Sequence, residues 1–196
     1  MMAASADFVL ASASPRRADL LEQVGARFTV MAVDVDETPL PGEKPDAYVT
    51  RLAKDKARAA VALCPDRPVL AADTTVAVDG RPMGKPRDEA DAIAMLMALS
   101  DRTHGVYTCV AMTDGERLEW RLSHTRVTFR ALTVGECRAY WRTGEPRDKA
   151  GGYAIQGLGA VFVKALEGSY SGVVGLPLAE TWELLQLFGI RCWATD

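Results

Sequence analysis

The run Val69–Val78 restricts the possible folds of this chain more than any other segment. Apart from three polar residues at its centre, every residue in the run is apolar. A continuous apolar stretch of this length is typical of a β-strand that is covered on both faces, as in an α/β protein. Asp73 would then lie buried in mid-strand, where a carboxylate needs a cation, a metal or hydrogen-bond donors beside it. A polar residue at a bulge or at a sheet edge would explain the same pattern.

The residues after this strand predict a hairpin. Asp79-Gly80 is a typical two-residue hairpin turn, and the chain continues beyond it through Met83 and Gly84 to Lys85. If the two arms pair, Lys85 returns to the level of Asp73 or just beyond it. The hairpin would therefore bring a cation toward the carboxylate.

Composition excludes several kinds of protein. The net charge of −3 argues against a broad nucleic-acid-binding surface, although a local basic pocket is compatible with it. Two histidines and four scattered cysteines offer almost nothing for a zinc site or a histidine-based triad. No apolar run approaches the ~20 residues of a membrane span, and the first residues lack the basic start of a secretory signal. We therefore expect a cytoplasmic protein whose available catalytic groups are carboxylates, lysines and arginines, with room for a metal.

The first strand and helix predict an anion site. Asp7–Ala11 has the pattern of a short strand, and Ser14 is a suitable N-cap for the helix that follows. Free backbone N–H groups, the hydroxyls of Ser12 and Ser14, and the guanidinium groups of Arg16 and Arg17 would meet at the positive end of this helix. Two arginines in a first turn oppose the helix dipole, which favours a bound anion over a plain cap.

A second helix is predicted from Asp46, as its N-cap, to about Leu63. Lys56 falls in the middle of its apolar face. A lysine there either extends along apolar surface to reach water or pairs with a buried negative group. The strand that carries Asp73 follows immediately, which favours the second explanation. The apolar face is predicted to contain Tyr48, Val49, Leu52, Ala59, Ala60 and Leu63.

An acidic segment follows another predicted strand, Phe28–Val33. Asp34, Asp36 and Glu37 place three carboxylates within four residues. Such a cluster could hold a divalent cation, which prefers oxygen ligands, but a solvated acidic turn is the more common alternative. The residues alone leave both possibilities open.

The second half of the chain begins with two long strands, Thr103–Met112 and Arg117–Arg130. In the second of them the apolar alternation changes phase after Leu122, which predicts a bulge near residues 123–126. Further elements are a helix capped by Asp88, a helix opened by the capping box Thr133–Glu136, a strand Ala160–Ala165, a loop Gly168–Gly175 and a last helix starting at Leu176-Pro177.

The segment Glu145–Gly159 predicts a ligand-binding loop. It contains four glycines among charged and amide side chains, including Lys149 and Gln156. Glycines let backbone approach a ligand closely, and binding residues are concentrated on loops. P-loop, dinucleotide-binding and nucleophile-elbow motifs have no match in this chain.

Several short motifs together resemble the Maf family of nucleoside triphosphate pyrophosphatases, from Val9 to Phe188. The resemblance implies an α/β fold with a long twisted mixed β-sheet flanked by helices and two lobes with a central cleft, in a single domain over residues 1–196. It also implies hydrolysis of a nucleotide to the monophosphate and pyrophosphate. The motifs are Ser12-Ala-Ser-Pro-Arg-Arg17, Ala72-Asp-Thr74, Gly84-Lys-Pro-Arg87, Asp148-Lys-Ala-Gly151, Tyr153-Ala-Ile-Gln-Gly157 and Val174-Gly-Leu-Pro-Leu178.

The resemblance implies roles for particular residues. Asp73 matches the acceptor of the proton from the attacking water, with Glu37, Lys56 and Lys85 beside it as catalytic residues. Glu37 and Asp73 are also the implied ligands of a divalent cation, Mg²⁺ or Mn²⁺. The implied substrate-binding residues are Ser12, Ser14, Arg16, Arg17, Thr74, Lys149 and Gln156, of which Arg16, Thr74 and Gln156 match positions that govern base specificity.

The Tyr153–Gly157 motif resembles the branch of the family that acts on dTTP and UTP. A glutamine amide complements the N3–H group and an adjacent carbonyl of uracil or thymine. The alternatives are another nucleotide, such as CTP, a modified pyrimidine or 7-methyl-GTP, and a nucleotide-sensing regulator of cell division. The expected partner is a nucleoside triphosphate, with no nucleic acid and no membrane, and the resemblance suggests a homodimer.

Overall fold

The computed structural model describes residues 6–193. Within them the chain forms a mixed seven-stranded β-sheet with helices packed on it. The strands are β1 (Phe8–Ala11), β2 (Phe28–Val30), β3 (Val69–Val78), β4 (Arg81–Met83), β5 (Thr103–Thr113), β6 (Leu118–Phe129) and β7 (Val163–Glu167). The helices are α1 (Pro15–Gln23), α2 (Pro45–Leu63), α3 (Glu89–Leu99), α4 (Val134–Arg142), α5 (Tyr170–Val174) and α6 (Leu178–Leu187).

The apolar run of β3 becomes the central strand. The strand order is β2-β1-β3-β5-β6-β7, and β4 pairs with β3 as well. β1 is parallel to both β2 and β3, whereas β4, β5, β6 and β7 join by antiparallel pairing. The prediction of a mixed sheet flanked by helices is confirmed.

One edge of β3 has a gap at its middle. On this edge, residues 69–71 pair with β1 and residues 76–78 pair with β4. The other edge pairs with β5 continuously from Val69 to Ala77. Asp73 and Thr74 therefore lie just beyond the carboxyl end of β1, where its chain turns away into α1. Ligands of open α/β sheets typically bind at this kind of position.

Alternate residues of β3 pack against different helices, because successive side chains of a strand point to opposite faces. Val69 and Ala71 belong to the cluster of buried residues that contains the alanines of α2. Leu70 and Ala72 belong to the cluster on the other face, with α1 and α6. By this alternation Asp73 faces α2.

A third core lies at the other end of the sheet. Val127 and Phe129 of β6 pack there against residues of α3 and α4 and against Tyr153 and Phe162. This cluster supports the glycine-rich loop that follows α4. The gap in β3 is therefore flanked by α1 and α2 at one end of the sheet and by the glycine-rich loop at the other.

The predicted hairpin is confirmed. Val76 pairs with Met83, and Val78 pairs with Arg81. Asp79 and Gly80 have φ values of 51° and 73°. Two successive positive φ values fit the hairpin turn for which Asp-Gly is the preferred sequence.

The predicted bulge near residues 123–126 is wrong. β6 pairs with β5 without interruption from Leu118 to Thr128, and the irregularity lies between Thr128 and Phe129, toward β7. The phase change has another cause. Leu118 packs on the α2 side of the sheet, whereas Val127 packs into the core formed with α3 and α4. The strand changes its covered face along its length because different layers cover its two ends.

Several predicted boundaries and caps also differ. α2 is capped at Lys44, because Pro45 takes its first position, so Asp46 lies inside the first turn. Ser14 occupies the N-cap position of α1 but makes no side-chain cap. Leu63 is 69% exposed, while Ala53 and Ala57 are buried, so the inward face of α2 is rotated from the prediction. β2 ends at Val30, β7 begins at Val163, and the predicted loop 168–175 contains α5.

Candidate active site

The centre of the site is the buried carboxylate of Asp73, which is 7% exposed. The Lys56 ammonium donates to Asp73 Oδ1 over 2.8 Å and lies 2.6 Å from Glu37 Oε1. One lysine therefore joins two carboxylates that come from different segments, β3 and the loop after β2. The lysine on the apolar face of α2 has the buried negative partner that the sequence indicated.

Small residues of α2 let Lys56 reach the strand. Ala53, Ala57 and Ala60 are fully buried between the helix and the sheet. With no long side chains at these positions, the helix can pack close to β3. The Lys56 side chain is only 12% exposed, so water screens its attraction to the two carboxylates only weakly.

The pKa values of the two carboxylates are shifted in opposite directions. Burial raises the pKa of Asp73 above its ordinary value, although Lys56 and Arg17 oppose this. Burial also acts to raise the pKa of Glu37, but the hydrogen bond and charge of Lys56 outweigh it and leave the pKa lowered. Asp73 is thus a better acceptor of a proton than an exposed aspartate, and Glu37 is a poorer one than an exposed glutamate.

Arg17 binds three segments together. Its Nε donates to the carbonyl of Gly175 over 2.8 Å, and its two Nη atoms donate to Ser12 Oγ (3.1 Å) and Thr74 Oγ1 (3.3 Å). Burial lowers its pKa, and the charge of Asp73 opposes that effect. Because three of its five N–H donors are engaged by protein atoms, Arg17 fixes the start of α1 against β3.

The rest of the α1 start lies at the mouth of the site. The Ser14 N–H donates to Ser12 Oγ over 3.2 Å, which orders the turn between β1 and α1. Arg16 lies 3.9 Å from Asp148, and Asp148 also binds Lys149. Through Asp148, the two cations on opposite sides of the cleft are held near each other.

Gln156 projects from a loop whose neighbouring residues are buried. Tyr153, Ala154 and Ile155 are each 7% exposed or less, whereas Gln156 is exposed. Lys85, beyond the end of β4, is exposed as well. Both side chains can therefore meet a ligand without displacing a partner from a core.

All of these groups line one cleft of about 610 Å³. Among the described residues that line it, five are basic and three are acidic, although the chain as a whole has a net charge of −3. The structure thus brings every sequence-predicted site residue to one place, while their individual roles stay predictions. The residues are Ser12, Ser14, Arg16, Arg17, Glu37, Lys56, Asp73, Thr74, Lys85, Lys149 and Gln156.

Comparison with known proteins identifies the family. The family model for "Maf-like protein" matches residues 7–188. The chain belongs to the Maf family.

Curated relatives of this Maf protein carry a common description, "dTTP/UTP pyrophosphatase". The protein of that description from Myxococcus xanthus is 57% identical over 182 residues, which are 93% of this chain and 92% of the relative. The one from Saccharophagus degradans is 53% identical over 193 residues, which are 96% of this chain and 92% of the relative. Among solved structures, a HAM1 protein from Coxiella burnetii has a TM-score of 0.49 at 18% identity, covering 63% of this chain and 73% of its own.

Tyr48 and Asp148 also line the cleft, although the sequence-based set did not include them. Tyr48 donates from its hydroxyl to the carbonyl of Glu37 over 2.9 Å, and burial together with the charges of Asp73 and Glu37 raises its pKa to about 12. Its helical spacing of eight residues from Lys56 was a usable signal, since residues i and i+8 lie near one face. Asp148 adjoins Lys149 in a motif already noted, but its contact with Arg16 depends on the tertiary structure.

The acidic segment Asp34–Glu37 does not form a cation site by itself. Between residues 6 and 193, no group of three or more His, Cys, Asp and Glu side chains is placed to hold a metal. Asp36 instead accepts the backbone N–H of Thr38 over 2.9 Å. Glu37 and Asp73 converge only through Lys56, so a cation between them would need further oxygen ligands from a bound molecule.

None of the helices in the described part of the chain is long and apolar enough to cross a membrane.

Proposed function

We propose that this Maf protein is a nucleoside triphosphate pyrophosphatase that hydrolyses dTTP and UTP to the monophosphate and pyrophosphate. The observation that carries the proposal is the buried Asp73 carboxylate, paired with Lys56 in a cleft where basic side chains outnumber acidic ones. The relatives described as dTTP/UTP pyrophosphatases, at 51–57% identity, support the choice of substrates.

The triphosphate would lie along the basic groups of the cleft. Lys85 and Lys149 line the cleft and offer charge-assisted hydrogen bonds to phosphate oxygens. Lys56 lies next to Asp73, the proposed general base. Cations at these positions would stabilise the negative charge that develops on the leaving pyrophosphate.

Asp73 would act as the general base. A water molecule beside its carboxylate gives up a proton to Asp73 as the water oxygen bonds to phosphorus. The bridging P–O bond of the α–β anhydride breaks, and its electron pair leaves with pyrophosphate. The raised pKa of Asp73 brings its proton affinity closer to the operating pH, which improves a general base.

The donor set of Glu37 and Asp73 fits a divalent cation such as Mg²⁺ or Mn²⁺. Mg²⁺ is usually held in such enzymes by one or two carboxylates together with substrate phosphates, which would explain why residues 6–193 supply no larger cluster. Such an ion would screen the phosphate charge and acidify the attacking water. Glu37 and Asp73 would hold it, and the Lys56 ammonium would have to move aside to make room.

Gln156 would recognise the base. Its amide offers a donor and an acceptor that match the carbonyl and N3–H of uracil or thymine. Cytosine has an acceptor at N3 in place of the N3–H donor, so an amide held in the orientation that suits uracil would set its carbonyl oxygen against that acceptor. A site built on such bonds rejects a base that cannot complete them.

The test is a pyrophosphate-release assay with purified protein and a panel of dTTP, UTP, CTP, GTP and 7-methyl-GTP. We expect dTTP and UTP to give the highest kcat/KM with Mg²⁺ or Mn²⁺, and chelation by EDTA to abolish turnover. Asp73→Asn protein, purified in parallel, reports any contaminating activity. Preference for another nucleotide would overturn the substrate assignment, and tight nucleotide binding without pyrophosphate release would favour the sensing alternative.

A further inference from the structure

Two side chains outside the cleft lining hold the loop that carries Gln156. Tyr140 lies on the inner side of α4, and Glu145 begins the 3-10 turn that follows that helix. The Tyr140 hydroxyl accepts the backbone N–H of Ala154 over 3.0 Å and donates its own hydrogen to the Glu145 carboxylate. We call Tyr140 and Glu145 the α4 clasp.

The clasp also binds the loop on the far side of Gln156. The Glu145 carboxylate accepts the backbone N–H groups of Leu158 over 2.9 Å and of Gly159 over 3.0 Å. Attachment points therefore lie two residues before Gln156 and two and three residues after it. Because the backbone is fixed on both sides of Gln156, the direction in which its side chain leaves the loop is fixed as well.

Two glycines confirm how closely the clasp approaches the loop. A Cβ added to Gly157 would lie 2.0 Å from Glu145 Oε1, and one added to Gly159 would lie 2.7 Å from the Tyr140 hydroxyl. Gly157 has a φ of −116° and a ψ of −147°. Glycine is needed there for space, because the carboxylate occupies the place of a side chain.

Both members of the clasp keep the protonation states that these bonds need. Burial and the hydrogen bond to Glu145 raise the pKa of Tyr140, so its hydroxyl stays a donor. Burial acts to raise the pKa of Glu145, but the bonds from Tyr140, Leu158 and Gly159 outweigh it and lower the pKa. The carboxylate therefore remains an acceptor at neutral pH.

We propose that the α4 clasp is a specificity-determining device: Tyr140 and Glu145 are positioning residues that aim the Gln156 amide at the pyrimidine edge. The inference rests on the proposed function, since it concerns the base preference of that same site. It assigns base selectivity to residues that touch neither base nor phosphate. A displacement of the amide by about 1 Å can cost up to 10²-fold in rate when geometry is strict.

The first experiment compares Tyr140→Phe and Glu145→Gln with wild type, measuring kcat/KM for UTP and CTP. Phenylalanine cannot bridge Ala154 to the carboxylate, and a glutamine amide places an N–H donor against backbone N–H groups. We expect the UTP/CTP ratio to fall on the order of ten- to a hundredfold, with the residual rate on CTP retained because Asp73 and Lys56 are unchanged. A purely structural role would lower both rates together and leave the ratio constant.

The matched control lies on the same helix. Glu136 completes the capping box of α4 with Thr133 and pairs with Arg130 over 2.8 Å, with no bond to the Gln156 loop. Glu136→Gln should therefore weaken α4 without changing the UTP/CTP ratio. An equal change of the ratio in this variant would overturn the inference, because general loosening of α4 would then be the cause.

A second experiment begins with a single variant that keeps both side chains of the clasp, which serves if those variants do not fold, and then adds a double-mutant cycle with Glu145→Ala. Gly157→Ala should displace the Glu145 carboxylate and lower the UTP/CTP ratio by a similar factor. In a Glu145→Ala background the space is free, so the same substitution should change the ratio little. If Gly157→Ala has the same effect in both backgrounds, the carboxylate is not what holds the loop, and the inference fails.

The outcomes separate the inference from the function on which it rests. If wild type releases no pyrophosphate from any nucleotide, the proposed function fails. If wild type prefers UTP and the clasp variants retain that preference with only a lower Tm, the function stands and the clasp inference is overturned.

Discussion

The two walls of the cleft hold their key side chains in different ways. On the wall formed by β3, α2 and the start of α1, these side chains bind one another: Lys56 joins Asp73 to Glu37, and Arg17 joins Ser12 to Thr74. On the wall formed by the glycine-rich loop, the backbone is held from behind and Gln156 is left exposed.

The difference follows from the chemistry proposed for each wall. Buried charges must be paired, because an isolated ion in a protein interior is strongly destabilising. A base-recognising amide must instead keep its donor and acceptor available, so the precision comes from the backbone around it. The charged side chains are therefore held by one another, whereas the neutral amide is held through its backbone. Substitutions of Asp73 and Lys56 on the first wall should therefore change the rate, and substitution of Gln156 on the second should change the choice of base.

The largest effect is expected for Asp73→Asn. The substitution keeps the shape of the side chain but removes the proton acceptor, so kcat should fall by about 10³-fold, since general bases contribute ~10²–10⁴. The order of nucleotides in the residual activity should not change. Pyrophosphate release and Tm are the measurements, with Asp79→Asn, at the turn that ends the same strand, as the control. Full activity would remove Asp73 from the mechanism.

Lys56→Ala should have the next largest effect, about 10²-fold in kcat/KM. Without the ammonium, burial raises the pKa of Asp73 with less opposition, so the acidic limb of the pH–rate profile should move to higher pH. Lys54→Ala is the control, since Lys54 on the same helix lies over the ring of Trp120 instead. A loss of Tm with an unchanged pH profile would return Lys56 to a structural role.

Gln156→Glu should change selectivity more than rate. A carboxylate cannot donate to a base carbonyl, so the preference for UTP over CTP should fall by about tenfold or more. The kcat with the preferred nucleotide of the variant should remain within about tenfold of wild type, because the charged wall is intact. An unchanged ranking of nucleotides would exclude Gln156 from base recognition.

The smallest expected effect is on the free energy of unfolding, through His104 in the core behind the glycine-rich loop. His104 is buried, donates to or accepts from the Tyr153 hydroxyl over 2.8 Å, and burial lowers its pKa to about 4. In the unfolded chain the His104 imidazole has its ordinary pKa of 6.5 and binds a proton more readily than in the folded protein. The free energy of unfolding should therefore fall by about 2 kcal/mol between pH 7 and pH 5.

His104→Gln should reduce this loss by the same amount. Urea unfolding at both pH values measures it, and His124→Gln is the matched control, because His124 is exposed and stacks on Tyr107 at 4.2 Å. Comparing variants separates His104 from the carboxylates that also titrate in this range. An equal loss in wild type and His104→Gln would contradict the prediction.

Local patterns were sufficient to predict much of the charged wall. The polar residues inside an apolar strand, the lysine on an apolar helix face and the arginines at a helix start each violate a local rule in a visible way. The loop wall offered less, because Tyr140 and Glu145 are ordinary residues at the end of an ordinary amphipathic helix. These two side chains bind backbone groups 13 or 14 residues away, and a pattern of local propensities cannot indicate such distant partners.

The sequence by itself determined where the strands, turns and unusual charges lie, since hydrophobic period and turn chemistry act over a few residues. The tertiary structure decided which of these segments meet. Arg17 finds partners 57 and 158 residues away, and β6 changes its covered face where a different helix layer begins. Packing of the whole chain selects those contacts, because many pairings would satisfy the same local chemistry and only one arrangement buries all the apolar faces together.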